Sequence, residues 1–201
     1  MYRRFDKRLN VLMSIIQPGE HFVVSEHGKG IGTVLGSCIA VCLFDPSTGI
    51  GGMNHFMLPG DVRNEEIFNS RSGRYGMFAM EKLINDMMKK GASRERLKAK
   101  IFGGGNVIDF RKSDGDIPTV NINFAKMYLS FEEIPIVASD VGGTTGRKII
   151  FLPEYNGRVL MKKLKSFSSK DYVNKEKQYK ATVFKKKKRD AAGGVTLFSK
   201  K

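Results

Sequence analysis

Residues 33–59 read TVLGSCIAVCLFDPSTGIGGMNHFMLP, two apolar runs on either side of a short turn-forming segment. The runs at 39–44 and 50–58 are rich in β-branched and aromatic residues, which favours strands. Between them, Pro46 fixes its own φ and Gly49 tolerates a positive φ, a composition typical of a tight turn. The stretch therefore predicts a β-hairpin.

The position of the turn decides which residues of the hairpin face each other. If it is centred near Ser47, paired positions sum to about 94, so Cys38 faces Phe56 to within one residue and His55 lies beside it. A thiol and an imidazole this close can form a thiolate–imidazolium pair, in which the cysteine becomes a nucleophile. Cysteine and histidine are also common packing residues, and the spacing alone leaves that interpretation open.

The residues around Cys38 refine this prediction. Gly36 and Ser37 are small, so the backbone can turn sharply and direct amide N–H groups at a developing oxyanion. An ordinary glycine turn into a strand has the same composition. Cys42 lies inside the apolar run and is expected in the core. Four strand residues separate the two cysteines by about 13 Å, too far for a disulfide.

Composition indicates one domain at 1–164 and a basic, loosely ordered tail at 165–201. Residues 158–201 hold 15 Lys and Arg against three acidic residues, which accounts for +12 of the net charge of +15. No stretch approaches about 18 consecutive apolar residues, so no membrane insertion is expected. Reduced cysteines and the absence of a leader-like cleavage site predict a cytoplasmic protein.

The remaining chain mixes helices and strands without regular βαβ spacing. A methionine stripe at 75–90 predicts a helix, and Asn121 or Asn123 is expected to cap a second helix that ends near 132. Residues 1–16 suit either a short helix or an extended segment, and further strands are predicted at 97–102, 134–139, 147–152 and 157–161. We therefore expect a mixed α+β fold, a layered β-sheet core with flanking helices and not a doubly wound Rossmann sheet.

Two other chemistries are disfavoured by the motifs. The histidines and cysteines do not form a clustered quartet or a His-x-x-x-His pair, so no metal site is predicted. The glycines at 103–105 lack the order of a phosphate-binding loop. The polar segment 61–74 is expected to be a mobile loop.

Three segments, TVLGSCIAVCLFDPSTGIGGMNHFMLP, AKIFGGGNV and DVGGTTGRKIIF, occur in the order in which they resemble the CheD family of chemoreceptor glutamine deamidases. The resemblance spans residues 17–164. It implies a cysteine hydrolase that converts receptor glutamines to glutamates, through a thioester and with release of ammonia. The family's catalytic residues fall on Cys38, His55 and Thr33, where Thr33 orients the imidazole. No metal or organic cofactor is implied.

The resemblance also implies partners. These are the helical cytoplasmic region of methyl-accepting chemoreceptors and a CheC-type phosphatase. Polarity and glycine content suggest a substrate-facing rim that comprises Arg71, Ser72, Arg74, Gly103 and Gly104.

Two other functions remain open at this point. One is a non-catalytic module whose basic tail binds nucleic acid, anionic lipid or a CheC-type phosphatase, although the body lacks a basic stripe with aromatics, which disfavours nucleic acid. The other is a different cysteine hydrolase, a protease or a receptor methylesterase.

Overall fold

The computed structural model describes residues 1–58, 70–107 and 116–164, together with residues 174, 178, 179, 181 and 182. Within these residues, ten strands form two five-stranded sheets that are accompanied by two α-helices. The strands are β1 (Tyr2–Asp6), β2 (Val11–Ile15), β3 (His21–Val24), β4 (Lys29–Leu35), β5 (Ile39–Phe44), β6 (Gly51–Asn54), β7 (Lys98–Gly103), β8 (Ile136–Val141), β9 (Gly146–Leu152) and β10 (Arg158–Leu164). The helices are α1 (Arg71–Lys89) and α2 (Ile117–Phe131).

Both sheets are mixed. The first has the order β1-β2-β4-β9-β10 and the second the order β3-β6-β5-β7-β8. Only β2 with β4 and β7 with β8 pair in parallel, and the other neighbours are antiparallel. This arrangement confirms the mixed α+β prediction and the absence of a doubly wound sheet.

Strand β5 lies at the centre of the molecule and is buried along its whole length. One of its faces, with Ile39 and Leu43, packs with α1 and α2 in one core cluster. The other face, with Cys42 and Phe44, packs in a second cluster against residues of the first sheet, including Ile31. Because a strand alternates its side chains, this one strand serves two cores, and the fold has three layers: sheet, sheet and helices.

The hairpin of β5 and β6 forms as predicted, with a register one residue away from its expected centre. Cys42 pairs with Met53, and Ile39 forms a separate bridge with Phe56, so paired positions sum to 95. Position 38 therefore faces Met57, within the expected margin of one residue.

Helix α1 begins four residues earlier than its apolar pattern predicts. Ser70 is its N-cap and accepts a hydrogen bond of 2.9 Å from the Gly73 N–H, which satisfies a first-turn donor. The loop prediction for 61–74 is therefore wrong for residues 71–74. The part of that prediction at 61–69 lies outside the described residues.

Helix α2 also begins earlier than expected. Asp116 is its N-cap and accepts from the Thr119 N–H at 3.2 Å, and Pro118 occupies the first turn, where its missing N–H costs nothing. The predicted caps Asn121 and Asn123 lie inside the helix, so that prediction is wrong.

The structure tests the prediction for the N-terminal residues but little of the prediction for the C-terminal tail. Of the two alternatives for residues 1–16, the extended one is confirmed, because β1 and β2 form an antiparallel pair there. The tail prediction at 165–201 falls mostly outside the described residues. Among the helices that are described, none is long and apolar enough to cross a membrane.

Candidate active site

Cys38 lies in the short connection between the two sheets. We call Gly36, Ser37 and Cys38 the 36–38 loop; it links β4 of the first sheet to β5 of the second. Thr33 is on β4, and His55 follows β6 on the second sheet. All three candidate residues are buried, with exposed fractions of 3% for Thr33, 0% for Cys38 and 1% for His55.

Strand alternation brings Thr33 to this place. It shares a face of β4 with Ile31 and Leu35, both of which pack in the core between the sheets. The Thr33 hydroxyl therefore lies between the layers, where it is 2.8 Å from His55 Nδ1. The structure thus brings together two residues that are 22 positions apart in the sequence.

The hydrogen-bond pattern assigns the tautomer of His55. The Thr33 hydroxyl donates its hydrogen to the Ile16 carbonyl at 2.9 Å, so towards His55 it can only accept. Nδ1 of His55 must then carry the hydrogen, and Nε2 carries the lone pair. This Nε2 is buried and has no hydrogen-bond partner among the described residues.

Burial affects the charge state of His55. Burial lowers its pKa from 6.5 to about 3, because the low-dielectric surroundings disfavour the imidazolium. The resting imidazole is therefore neutral. The sequence indicated that Cys38 and His55 can form a thiolate–imidazolium pair, and burial acts against the imidazolium half of that pair.

The sheet register places Cys38 and His55 at neighbouring positions of the hairpin. Ile39 and Phe56 exchange two backbone hydrogen bonds of 3.0 Å, and Cys38 and His55 each precede one member of this pair. Their side chains lie on the same face, as diagonal neighbours, for which the Cβ separation is about 7–8 Å or somewhat less. An imidazole ring bridges much of that distance towards a thiol.

Cys42 is a core residue, as predicted. It is fully buried, pairs with Met53 across the hairpin, and packs in the cluster between the sheets. Burial raises the pKa of its thiol, which keeps it protonated and unreactive. Both cysteines lie in the described part of the chain, and neither forms a disulfide.

Three successive carbonyls of the 36–38 loop are held by neighbouring segments. Gly105 N–H donates to the Gly36 carbonyl at 2.7 Å, and Gly104 N–H donates to the Cys38 carbonyl at 2.7 Å. Between them, Asn121 Nδ2 donates to the Ser37 carbonyl at 3.0 Å. In a trans peptide the N–H points opposite to the carbonyl, so the amides of Ser37 and Cys38 are directed away from these supports.

Three of the five residues of the predicted rim are buried, and the rim stays a prediction. Gly103 and Gly104 are buried beneath the 36–38 loop, and a Cβ on Gly103 would lie 2.2 Å from the Cys38 carbonyl oxygen. Gly103 also has φ of +114°, so only glycine fits. Ser72 is buried in the first turn of α1, whereas Arg74 is exposed. Arg71 is the first residue of that helix.

Asn121 is the functional candidate that the sequence analysis missed. Its side chain is fully buried, and it bridges two backbone segments, since Oδ1 accepts from the Leu58 N–H at 2.7 Å while Nδ2 binds the 36–38 loop. A signal was available: Asn121 shares the apolar face of its helix with Phe124 and Ala125 at i+3 and i+4. A buried amide needs partners, so its position there indicates a bridging role.

Comparison with known proteins places the chain in a family. The family described as CheD chemotactic sensory transduction matches residues 57–163, which begin just after His55. The chain belongs to the CheD family.

Relatives with this name extend over nearly the whole chain. A probable chemoreceptor glutamine deamidase CheD of Hahella chejuensis is 46% identical over 187 residues, which cover 92% of this chain and 85% of the relative. A probable chemoreceptor glutamine deamidase CheD 1 of Shewanella oneidensis is 41% identical, covering 98% of this chain and 92% of the relative. Among solved structures, Bacillus licheniformis hypothetical protein YfiH covers 62% of this chain and 49% of its own at 10% identity, with a TM-score of 0.37, too low to bear on fold or function.

In this CheD-family chain, the glycine turn between β8 and β9 supports the site from the far side. Arg147 is buried and donates to Asp140 at 2.6 Å and to the Gly142 carbonyl at 2.6 Å. The β8–β9 turn contacts the segment that follows β7, because Asn106 N–H donates to the Gly143 carbonyl at 2.7 Å. The three segments that carry the family resemblance therefore pack into one assembly around the 36–38 loop.

Proposed function

We propose that this chain is a chemoreceptor glutamine deamidase in which Cys38 is the nucleophile, His55 is the general base and acid, and Thr33 orients His55. The proposal combines family membership with the buried arrangement of the three side chains. The CheD relatives carry the deamidase name, and the contact between Thr33 and His55 supports the proposed roles.

The observation that carries the assignment is the tautomer of His55. Thr33 accepts the Nδ1 hydrogen because its own hydrogen is bound to the Ile16 carbonyl. This leaves Nε2 as an unprotonated nitrogen between the sheets, on the face that Cys38 shares. A threonine in this position does what an aspartate or asparagine does in other cysteine and serine hydrolases.

The first half of the reaction forms a thioester. Nε2 of His55 takes the proton of the Cys38 thiol, and the sulfur attacks the carboxamide carbon of the receptor glutamine. The carbonyl π-electrons move to the oxygen and give a tetrahedral oxyanion. When the oxyanion collapses, the carbon–nitrogen bond breaks, His55 returns its proton to the nitrogen, and ammonia leaves.

The second half hydrolyses the thioester. Neutral His55 takes a proton from water as the water oxygen attacks the thioester carbon. The carbon–sulfur bond then breaks, the thiol regains a proton from His55, and the receptor carries a glutamate. Each half of the cycle returns His55 to its neutral form, in keeping with a pKa that burial lowers.

Backbone amides of the 36–38 loop are proposed to stabilise both oxyanions. The amides of Ser37 and Cys38 are turned away from the carbonyl supports at Gly104, Gly105 and Asn121. Fixed amides of this kind cost no reorganisation when charge develops on the substrate oxygen. Gly36 contributes by allowing the sharp turn.

The proposed partners follow from the family. The substrate is the helical cytoplasmic region of methyl-accepting chemoreceptors, so the enzyme acts in the cytoplasm. A CheC-type phosphatase is proposed as a binding partner. Exposed Arg74, in the first turn of α1, remains a candidate contact for the receptor.

The direct test is mass spectrometry of receptor fragments incubated with wild-type protein and with variants. Cys38→Ala should reduce deamidation by at least about 10⁴-fold, as expected for loss of a nucleophile. Cys42→Ala is the matched control and should retain the activity, because Cys42 packs in the core. Intact fragments whose glutamines have become glutamates indicate deamidation, cleaved fragments indicate a protease, and loss of methyl groups indicates a methylesterase. Deamidation by Cys38→Ala at the wild-type rate would disprove the proposal.

A further inference from the structure

The candidate active site is closed in this structure. Thr33, Cys38 and His55 each have an exposed fraction of 3% or less. The substrate is a glutamine on another protein, and its carboxamide must touch the Cys38 sulfur. Some side chain that covers Cys38 must therefore move before the reaction can begin.

Tyr179 is placed to be that side chain. Five residues of the tail are described, and Tyr179 is half-buried while Asn174, Gln178, Ala181 and Thr182 are exposed. It packs against the core cluster that contains Cys38 and Met57. Among the described tail residues, Tyr179 alone is thus inserted into the body of the protein, next to the Cys38 thiol.

The contacts of Tyr179 define a slot, which we call the Tyr179 slot, lined by Gly19, Cys38, Met57 and Tyr75. The Tyr179 hydroxyl forms a hydrogen bond with the Tyr75 hydroxyl on α1 and accepts one from the Met57 N–H. Its ring lies against Gly19, where an added Cβ would be 2.7 Å from ring atom Cε2.

The slot is directly connected to the catalytic residues. Gly19 N–H donates to the His55 carbonyl at 2.7 Å, and Met57 faces position 38 in the hairpin register. Burial raises the pKa of the Tyr179 hydroxyl, and the ionisable groups of Tyr75 and Cys38 raise it further, because two negative charges this close to each other are disfavoured. The phenol is therefore neutral and can act as a hydrogen-bond donor and acceptor in the slot.

We propose that Tyr179 closes the entrance to Cys38, so that a receptor glutamine reaches the thiol only after Tyr179 has left the slot. This inference rests on the proposed function for its substrate, but its geometry concerns access to the thiol. Because the tail is part of the same chain, Tyr179 acts at a high effective concentration and competes with every receptor encounter. Deamidation is thereby restricted to substrates that bind well enough to displace it.

The test measures the alkylation rate of Cys38 by iodoacetamide in the full-length protein, with mass spectrometry to identify the modified cysteine. Tyr179→Ala should accelerate alkylation about tenfold, comparable to the loss of one or two net hydrogen bonds. Tyr179→Phe keeps the ring and loses the hydroxyl, so it should give a smaller increase. Tyr75→Phe removes the partner of the same hydrogen bond, and the double variant should add little to either single change.

Gln178→Ala is the matched control, since its side chain is next to Tyr179 in the chain but exposed. It should leave the alkylation rate unchanged. Equal rates for the wild type and Tyr179→Ala, with both proteins folded by circular dichroism, would overturn the inference.

Receptor deamidation separates this inference from the proposed function. Faster alkylation together with faster initial deamidation by Tyr179→Ala supports both. If Tyr179→Ala is alkylated faster but neither the wild type nor any variant deamidates the receptor, closure by Tyr179 is supported and the deamidase function is refuted. If Tyr179→Ala deamidates the receptor more slowly, with a raised KM and an unchanged alkylation rate, Tyr179 binds substrate instead of excluding it. This result would overturn the proposal that Tyr179 closes the entrance.

Discussion

At the level of single residues, the Thr33 hydroxyl determines how His55 can act. With one hydrogen to give, the hydroxyl donates to the Ile16 carbonyl and accepts from Nδ1. A side chain without an acceptor at position 33 would free the ring to take the other tautomer, whose Nε2 carries a hydrogen and cannot accept the thiol proton. The orientation and the basicity of His55 therefore depend on the same contact.

Acid should destabilise the fold through His55. The unfolded chain protonates this histidine near its ordinary pKa of 6.5, whereas the folded chain does so only near pH 3. The unfolded state thus binds more protons between these values. The contribution of neutral, buried His55 to stability is therefore complete above pH 6.5 and falls as the pH drops towards 3. Lowering the pH from 7 to 5 should cost about 2 kcal/mol from this residue.

Urea unfolding at pH 7 and pH 5 measures this effect. His55→Gln should lose the extra pH dependence, while His27→Gln, which changes a fully exposed histidine, should retain it. A pH dependence that is the same with and without His55 would contradict the assignment of a neutral buried imidazole.

The sequence was informative about some of these residues and not others. Cys38 and His55 could be paired from sequence because both belong to one local hairpin, whose turn residues limit the register. Thr33 could be reached only through the family resemblance, because its contact with His55 joins two different sheets. The lowered pKa of His55 could not be anticipated from sequence, since residue spacing does not reveal burial.

At the level of elements, helix α2 acts as a brace for the 36–38 loop. Its Asn121 holds the Ser37 carbonyl on one side and the Leu58 N–H on the other. The loop before β5 and the strand end after His55 are thereby tied to one rigid helix. A shift of this helix would reorient the peptide whose N–H belongs to Cys38.

Asn121→Ala should therefore impair catalysis as well as stability. Two buried backbone groups lose their partner, which should lower the free energy of unfolding by about 2–3 kcal/mol. We expect kcat to fall about tenfold with little change in KM, since the oxyanion amides lose their alignment while the substrate surface is unchanged.

Asn123→Ala, a half-buried position on the same helix, is the control and should leave kcat unchanged. A variant at Asn121 that is less stable but has wild-type kcat would reduce this residue to a structural role.

At this level, elements that depend on interactions between residues close in the sequence were predicted better than features that depend on distant contacts. Strands β5, β7 and β9 were located from their own apolar composition, and the hairpin from its turn. The start of α1 was missed because Ser70 caps it from a polar segment that had been assigned to a loop, and the start of α2 because Asp116 caps it in place of Asn121 or Asn123. No local pattern shows that the segment containing Gly103 and Gly104 supports the 36–38 loop, which is distant from it in the sequence.

At the level of the whole molecule, β5 makes the two cores interdependent. Its Ile39 face belongs to the helix-side core and its Cys42 face to the core between the sheets. Neither core can be lost without exposing half of this strand, so the body should unfold in one cooperative step. The three-layer order itself was predictable only as a class, because sheet order depends on contacts between distant strands.

A chain that ends after Leu164 should retain this cooperative unfolding, in line with the proposed division into a domain at 1–164 and a tail at 165–201. Its free energy of unfolding should be within about 1–2 kcal/mol of the full chain, a difference that corresponds to the hydrogen bonds of Tyr179. Urea titration followed by circular dichroism of both proteins gives the comparison. A truncated chain without a cooperative transition would show that the tail is part of the domain.

The three proposed catalytic residues come from both layers of the sandwich, with Thr33 on one sheet, His55 on the other and Cys38 on the crossover. If one sheet slides over the other by a fraction of an ångström, each sheet keeps its own hydrogen bonds, but the 2.8 Å contact between Thr33 and His55 lengthens. The proposed catalysis therefore depends on the alignment of the two sheets. Substitutions that slightly change the side-chain volume of interlayer residues such as Ile31 or Phe151 can abolish the activity while leaving the secondary structure intact.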